Sequence, residues 1–243
     1  MNTNISLSRI ILLLKRDISE NYKYILAISL TVLSVFTIFQ TIDALSDSRP
    51  ELATQQNNMY FSEMLIAGIF VAGMAFRDFR TKEKTMSYLT LPAQTIEKFI
   101  SNWLYSGVIF MIIFTVLFGI FNLLNIFIVE YLTDYDISFF NPFTEDFVNF
   151  LKAYIPIHAV FLAGAAWFKR IPLFFTSFAI FIISLAIFFF VLAIGYMIFD
   201  NGTLAYTSTD KIISVEILKN FATYAIPPLF WFVAFLKIKE KEV

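Results

Sequence analysis

The sequence predicts an all-α integral membrane protein: six transmembrane helices preceded by a cytoplasmic amphipathic interfacial helix. Three observations predict it. The charges fall outside a small set of long apolar runs. Between those runs they are sorted by sign. The chain is also 58% apolar and 19% aromatic, with mean hydropathy +0.73, beyond the range of a soluble domain.

The charge-free runs are Tyr24 to Ile42, Met64 to Phe76, Phe99 to Val129, Ala153 to Phe168, Ile171 to Phe199 and Asn220 to Leu236. Roughly 20 apolar residues cross the hydrocarbon core, with about 17 as the lower limit. Four runs meet that limit as they stand. The second meets it by starting near Met59 and taking in Glu63, the fourth by starting near Asn149 and taking in Lys152. The expected spans are therefore residues 22–42, 59–76, 99–129, 149–168, 171–199 and 220–236, all within one transmembrane domain, 1–243. Ahead of them, in residues 5–20, Leu7, Ile10, Ile11, Leu14 and Ile18 recur at helical spacing. Arg9, Lys15, Arg16, Ser19 and Glu20 take much of the remaining surface, the pattern of a helix lying in an interface.

The connections alternate in sign. The leader to Lys23, the second-to-third connection, the Lys169-Arg170 pair and the tail hold 14 of the 18 basic residues. The opposite connections and the outer turn of the second span hold 12 acids and the other four basic residues. Lys and Arg are retained in the cytoplasm, so both termini are expected there, with the protein in a bacterial inner membrane. An even number of spans agrees. No signal peptide is visible, and the first span reads as an uncleaved anchor.

The longest cytoplasmic connection, 77–98, opens polar and is broken by Pro92. It reads as a short helix, a proline turn and a second helix capped by Thr95. Such an element suits docking to a soluble protein. On the other side, Asn201-Gly202 signals a turn, and a short helix is expected over Ser208 to Lys219.

Enzyme motifs are absent. There is no Gly-x-x-x-x-Gly-Lys, no His-Glu-x-x-His and no Gly-x-Ser-x-Gly. No cysteine is present, which excludes disulfides and thiolate chemistry. Neither a metal site, a catalytic residue nor nucleic-acid binding is indicated. Anionic membrane lipid is the simpler partner for the basic side.

A few polar or helix-breaking residues stand inside the spans. Glu63 is the one acid at membrane depth. Such carboxylates mark ion paths, but its shallow position favours an interfacial role. His158 is the one histidine, and without partners it favours a hydrogen-bonded packing role. Asn122 and Asn125, three apart on one face, favour interhelical hydrogen bonding over a substrate path. Pro227-Pro228 interrupts the sixth span, either lining a cavity or making a plain kink. The phenylalanines of the fifth span surround the helix and read as lipid contacts.

Leu91-Pro92-Ala93-Gln94-Thr95-Ile96-Glu97-Lys98-Phe99 resembles the Leu-Pro-Ala-Ser-x-x-Glu-Lys-Phe segment of small permeases. His158 to Gly164, followed by Phe168-Lys169-Arg170, is similar to another of their segments. With the leader helix and six spans, the chain resembles the membrane subunit of a bacterial type-2 ABC transporter along its whole length. The resemblance implies a separate ABC ATPase subunit that binds ATP and magnesium, with no cofactor in this chain. It implies a homodimer or heterodimer of permeases, with the first and fifth spans at the dimer surface. It also implies an ATPase-coupling element within 77–98, formed by Arg77, Arg80, Lys82, Glu83, Lys84, Thr85, Tyr88 and Leu89. The family's Glu-x-x-x-Gly-Thr pattern is here Lys82-Glu83-Lys84-Thr85, without the glycine. The expected function is the permease of an ATP-driven exporter, not itself an enzyme. The alternative is a membrane scaffold or assembly subunit of an envelope complex.

Overall fold

Residues 7–45 contain no glycine and no proline, and they form one unbroken helix, α1 (Leu7–Leu45). In the computed structural model, which describes residues 5–45, 52–132, 140–198, 220, 221 and 223–242, all regular structure is helical. At 1.5 Å per residue α1 is about 58 Å long. The separate amphipathic helix expected over 5–20 is thus the first part of the first span's own helix. No helix breaker lies near Asn21 to stop it. Ile10, Leu13 and Asp17, spaced three and four apart, are the buried residues of this first part.

α2 (Leu52–Met74) ends where Phe76 turns left-handed at φ 55°. A 3₁₀ turn (Arg77–Arg80) and α3 (Lys82–Leu89) follow. The chain turns through Pro92 into α4 (Thr95–Leu104). The helix, proline turn and second helix are all present, but the cap is Gln94 rather than Thr95. Glu97, three residues further on, reaches back and its carboxylate accepts the Gln94 N–H at 2.9 Å. α4 passes through one π-helical stretch, Tyr105–Ile109, into α5 (Phe110–Leu132).

α6 (Glu145–Trp167) carries Pro156 inside it and turns at Lys169-Arg170 into α7 (Pro172–Ile198). α8 (Ile226–Glu242) starts after a turn at Ala225. Pro227 and Pro228 therefore stand in a first turn, where missing N–H groups cost nothing. Residues 220, 221, 223 and 224 are also helical, so the expected interruption is present as a break at Ala225, two residues ahead of the prolines. The Asn201-Gly202 turn and the Ser208–Lys219 helix lie outside the described residues.

Among the described residues, four stretches are long and apolar enough to cross a membrane: Leu7–Ile42, Thr95–Tyr131, Glu145–Trp167 and Pro172–Ala193. Asn58–Met74 is a shorter apolar helix. These lengths fit a membrane protein. α1 packs on α2, α4 and α5, while α6 packs on α2, α7 and most extensively on α8. One core joins Ile25, Leu33, Tyr60, Met64, Phe110, Phe114 and Tyr154. A second joins Phe76, Phe79, Tyr88, Phe99, Leu162, Ala166, Ala234 and Ile238. Gly164 sits where α6 meets α7, and a Cβ there would collide with the Thr176 side chain.

Candidate functional site

The start of α1, the segment from Arg77 to Leu104, the α6–α7 turn and the end of α8 meet at one end of the bundle. Most of the basic residues gather there. Their side chains form a polar platform beneath α3.

Tyr88 is its centre. It is 2% exposed, because α3 turns its ring inward onto the second core. Phe79 packs edge-on to the ring at 5.0 Å. The Arg16 guanidinium lies 4.9 Å above its centroid and the Lys98 ammonium 5.5 Å away. Asn102 Nδ2 donates to the phenol oxygen at 2.9 Å. Burial, and then the nearby Asp17, hold the phenol well above its usual pKa. It stays a neutral, fixed strut.

Two ion pairs tie the platform to α1. Arg16 Nη2 reaches Asp78 Oδ2 at 2.6 Å and Nε reaches Glu20 at 2.9 Å. Arg9 holds Glu97 through Nε at 3.0 Å and Nη2 at 2.8 Å. Glu97 is fully buried and also accepts the Ser6 N–H at 2.7 Å. Donors from three residues, Ser6 and Arg9 at the start of α1 and Gln94 ahead of α4, thus satisfy one buried carboxylate, which a buried charge requires. Nearby, Ser101 Oγ donates to Asp17 Oδ2 at 2.6 Å. Between α1 and α3 lies an open cleft of about 420 Å³, lined by Arg16, Glu20, Asn21, Arg77, Asp78, Lys84, Ser87 and Leu91.

The residues expected to couple divide into two groups. Lys82, Glu83 and Lys84 are exposed and form a ridge. Met86, absent from the expected set, is exposed beside them at 68%. Arg77 stacks 4.0 Å over Tyr24, and Arg80 Nη2 donates to the Gly73 carbonyl at 2.8 Å. Thr85 bonds the Thr81 and Asp78 carbonyls, and Leu89 is half-buried. Tyr88 is out of reach of any partner protein.

The intramembrane candidates are scattered. Asn125 Nδ2 donates to Gln40 Oε1 at 2.6 Å, joining α5 to α1. Asn122 Oδ1 accepts the Phe140 N–H at 3.4 Å. His158 is buried, 3.2 Å from Ser106 Oγ and stacked on Tyr154. Gly107, in the π-helical stretch, lies against its ring. Glu63 is 2% exposed, with no hydrogen-bond partner among the described residues. Pro227 is buried and Pro228 exposed. No group of three or more His, Asp or Glu that would hold a metal ion occurs among the described residues.

Sequence reasoning passed over Glu97, Arg9, Arg16, Asp17 and Asn102 as site residues. One signal was available: Gln94-x-x-Glu97 has capping-box spacing. No protein-family model, curated protein or solved structure matches the chain.

Proposed function

We propose that the chain is the permease subunit of an ATP-driven ABC exporter in a bacterial inner membrane, with α3 as its coupling helix. On this reading it has six spans and both termini in the cytoplasm. The first part of α1 lies along the inner interface, where its exposed Ile5, Leu7, Ile11 and Leu12 meet lipid. A separate ATPase subunit binds ATP and magnesium and docks on the Lys82–Lys84 ridge and Met86. The permease works as a dimer.

One observation carries the reading: an exposed mixed-charge ridge stands on a polar platform that ion pairs and hydrogen bonds tie to α1 and α4. A push on α3 passes through Tyr88 and Asn102 to α4, and through Asp78 and Arg16 to α1. The Arg9–Glu97 pair joins α1 to α4, so the three helices turn together. A tilt of that unit against α6, α7 and α8 is a rigid-body gating step of known type. The Leu91–Phe99 segment that resembles the permease family contains Glu97.

The test is a mild-detergent pull-down with ATPase assayed on the eluate. Glu83→Lys with Met86→Asp changes only exposed side chains, so the bundle stays folded. The reading expects the parent to retain an ATPase and this variant to lose it. A stable parent that brings down no ATPase, and only envelope proteins, assigns the chain to a scaffold instead.

A further inference from the structure

On the other side of α3 from the mixed-charge cleft lies a second cleft of about 400 Å³. Arg80, Lys82, Lys169 and Lys241 line it together with Phe79 and Leu89. The four cations come from three separate segments: the approach to α3, the α6–α7 turn and the last turn of α8. No carboxylate lines the cleft among the described residues. The acids nearby are engaged or turned away. Glu240 pairs with Lys237 at 2.7 Å, Asp78 pairs with Arg16, and Glu83 follows Lys82 in the chain but is not part of the lining.

Two of the cations are held in place with donors to spare. Lys241 Nζ donates to the Ala166 carbonyl at 2.9 Å and lies 4.7 Å over the Phe79 ring. An ammonium has three donors, and Ala166 takes one. Arg80 is anchored on Gly73, and its Nε is buried with no partner. Burial, and then the charges of Lys169 and Lys237, lower the Lys241 pKa to about 8. Burial, and then Arg77, lower that of Arg80. Like charges crowded without a counter-charge are unfavourable, and an anion in the cleft removes that cost.

The surroundings identify the anion. Trp167 and Ile171, at the α6–α7 turn, are 55% and 67% exposed, and the Lys237 ammonium lies 4.8 Å over the Trp167 ring. Aromatic and basic side chains at the end of long apolar helices mark the headgroup level of a bilayer. Basic pockets between helices at that level take anionic headgroups. We propose that this cleft binds the phosphate of an anionic phospholipid headgroup. The inference needs the membrane but not the ATPase partner, and Lys82 and Met86 are shared by this cleft and the ridge proposed for docking.

Native mass spectrometry of the full chain, released from mild detergent, tests it with phosphatidylglycerol, phosphatidylcholine and inorganic phosphate as probes. The parent retains phosphatidylglycerol over phosphatidylcholine by roughly tenfold, and Lys169→Gln with Lys241→Gln removes most of that preference. Lys82→Gln with Lys169→Gln, both exposed, lowers it without touching a buried contact. Lys152→Gln, exposed near the other end of α6 and outside the cleft, leaves it unchanged. Equal retention of both lipids overturns the proposal, as does a preference that survives both double variants. Displacement of phosphatidylglycerol by about 10 mM inorganic phosphate assigns the site to a free anion and also overturns it. So does a double variant that keeps its lipid preference but loses a bound acidic protein.

Discussion

α4 and α7 divide the molecule between two opposite ways of being stable. α4 has ten residues, and it buries Glu97, Lys98, Ser101 and Asn102. α7 has 27 residues and leaves Phe174, Phe178, Phe181 and Phe188 to Phe190 exposed. A soluble protein does the reverse. In lipid an exposed phenylalanine costs nothing, because the surroundings are as apolar as a core. A buried, charged carboxylate still needs hydrogen-bonding partners, as Glu97 has. The polar end therefore sets the geometry, while α7 is seated on Gly164 of α6 and Gly73 of α2, with Phe175 stacked on Phe168.

That contrast can be broken at several points. The largest effect is expected at Glu97. Glu97→Ala leaves Arg9 and the Ser6 and Gln94 N–H groups without their acceptor. A loss of about 3 kcal/mol is expected, near the lower end for a broken buried pair because Arg9 is a third exposed. Denaturant unfolding in detergent measures it, and a loss under about 1 kcal/mol would remove the platform from the account.

Next comes the seat of α7. Gly164→Val drives a branched side chain into Thr176, with an expected cost of about 2 kcal/mol. The same unfolding assay reads it. A neutral result would mean that α7 does not sit on Gly164.

A pH effect sharpens the comparison at the charged end. The folded pKa of Lys241 is about 8 against an ordinary 10.5. The folded chain thus binds fewer protons than the unfolded one between those values. Stability rises with pH across that window, and the penalty is fully present below it. Lys169 and Lys237 oppose the Lys241 charge and Glu240 favours it. Thermal unfolding at pH 7.5 and 9.5 should show a gain in the parent that Lys241→Met lacks.

The smallest effect belongs to α7's outer face. Phe181 is 59% exposed, so Phe181→Ala should change stability in a bilayer by less than about 0.5 kcal/mol. A larger loss would mean that something other than lipid covers that face.

Much of this was legible from sequence, for local reasons. Hydropathy marks the apolar helices, because the signal lies within each run of neighbouring residues. The proline turn at Pro92 and the helix that restarts after it follow from neighbours in the chain. The Asn125 bond across helices follows from an amide in an apolar run. The platform was not legible, because its pairs are distant. Arg9 and Glu97 are 88 residues apart, Arg16 and Asp78 62. Tyr88 looked like part of the docking ridge, since an eight-residue helix with mixed charge does not announce which face is down. The continuity of α1 was hidden by an amphipathic pattern that changes to an apolar one without any break in the backbone.

The central claim is that α1, α3 and α4 form one mechanical unit. The chain has no cysteine, so paired spin labels can be placed cleanly at Lys15→Cys and Met86→Cys, both exposed. Pulsed electron–electron distance measurement in lipid nanodiscs then reads the α1–α3 spacing. The account predicts one narrow distribution in the otherwise unchanged chain, broadened when Tyr88→Phe and Glu97→Ala are added. A broad or split distribution before those changes would contradict it, because α3 would then move free of the helices it is said to drive.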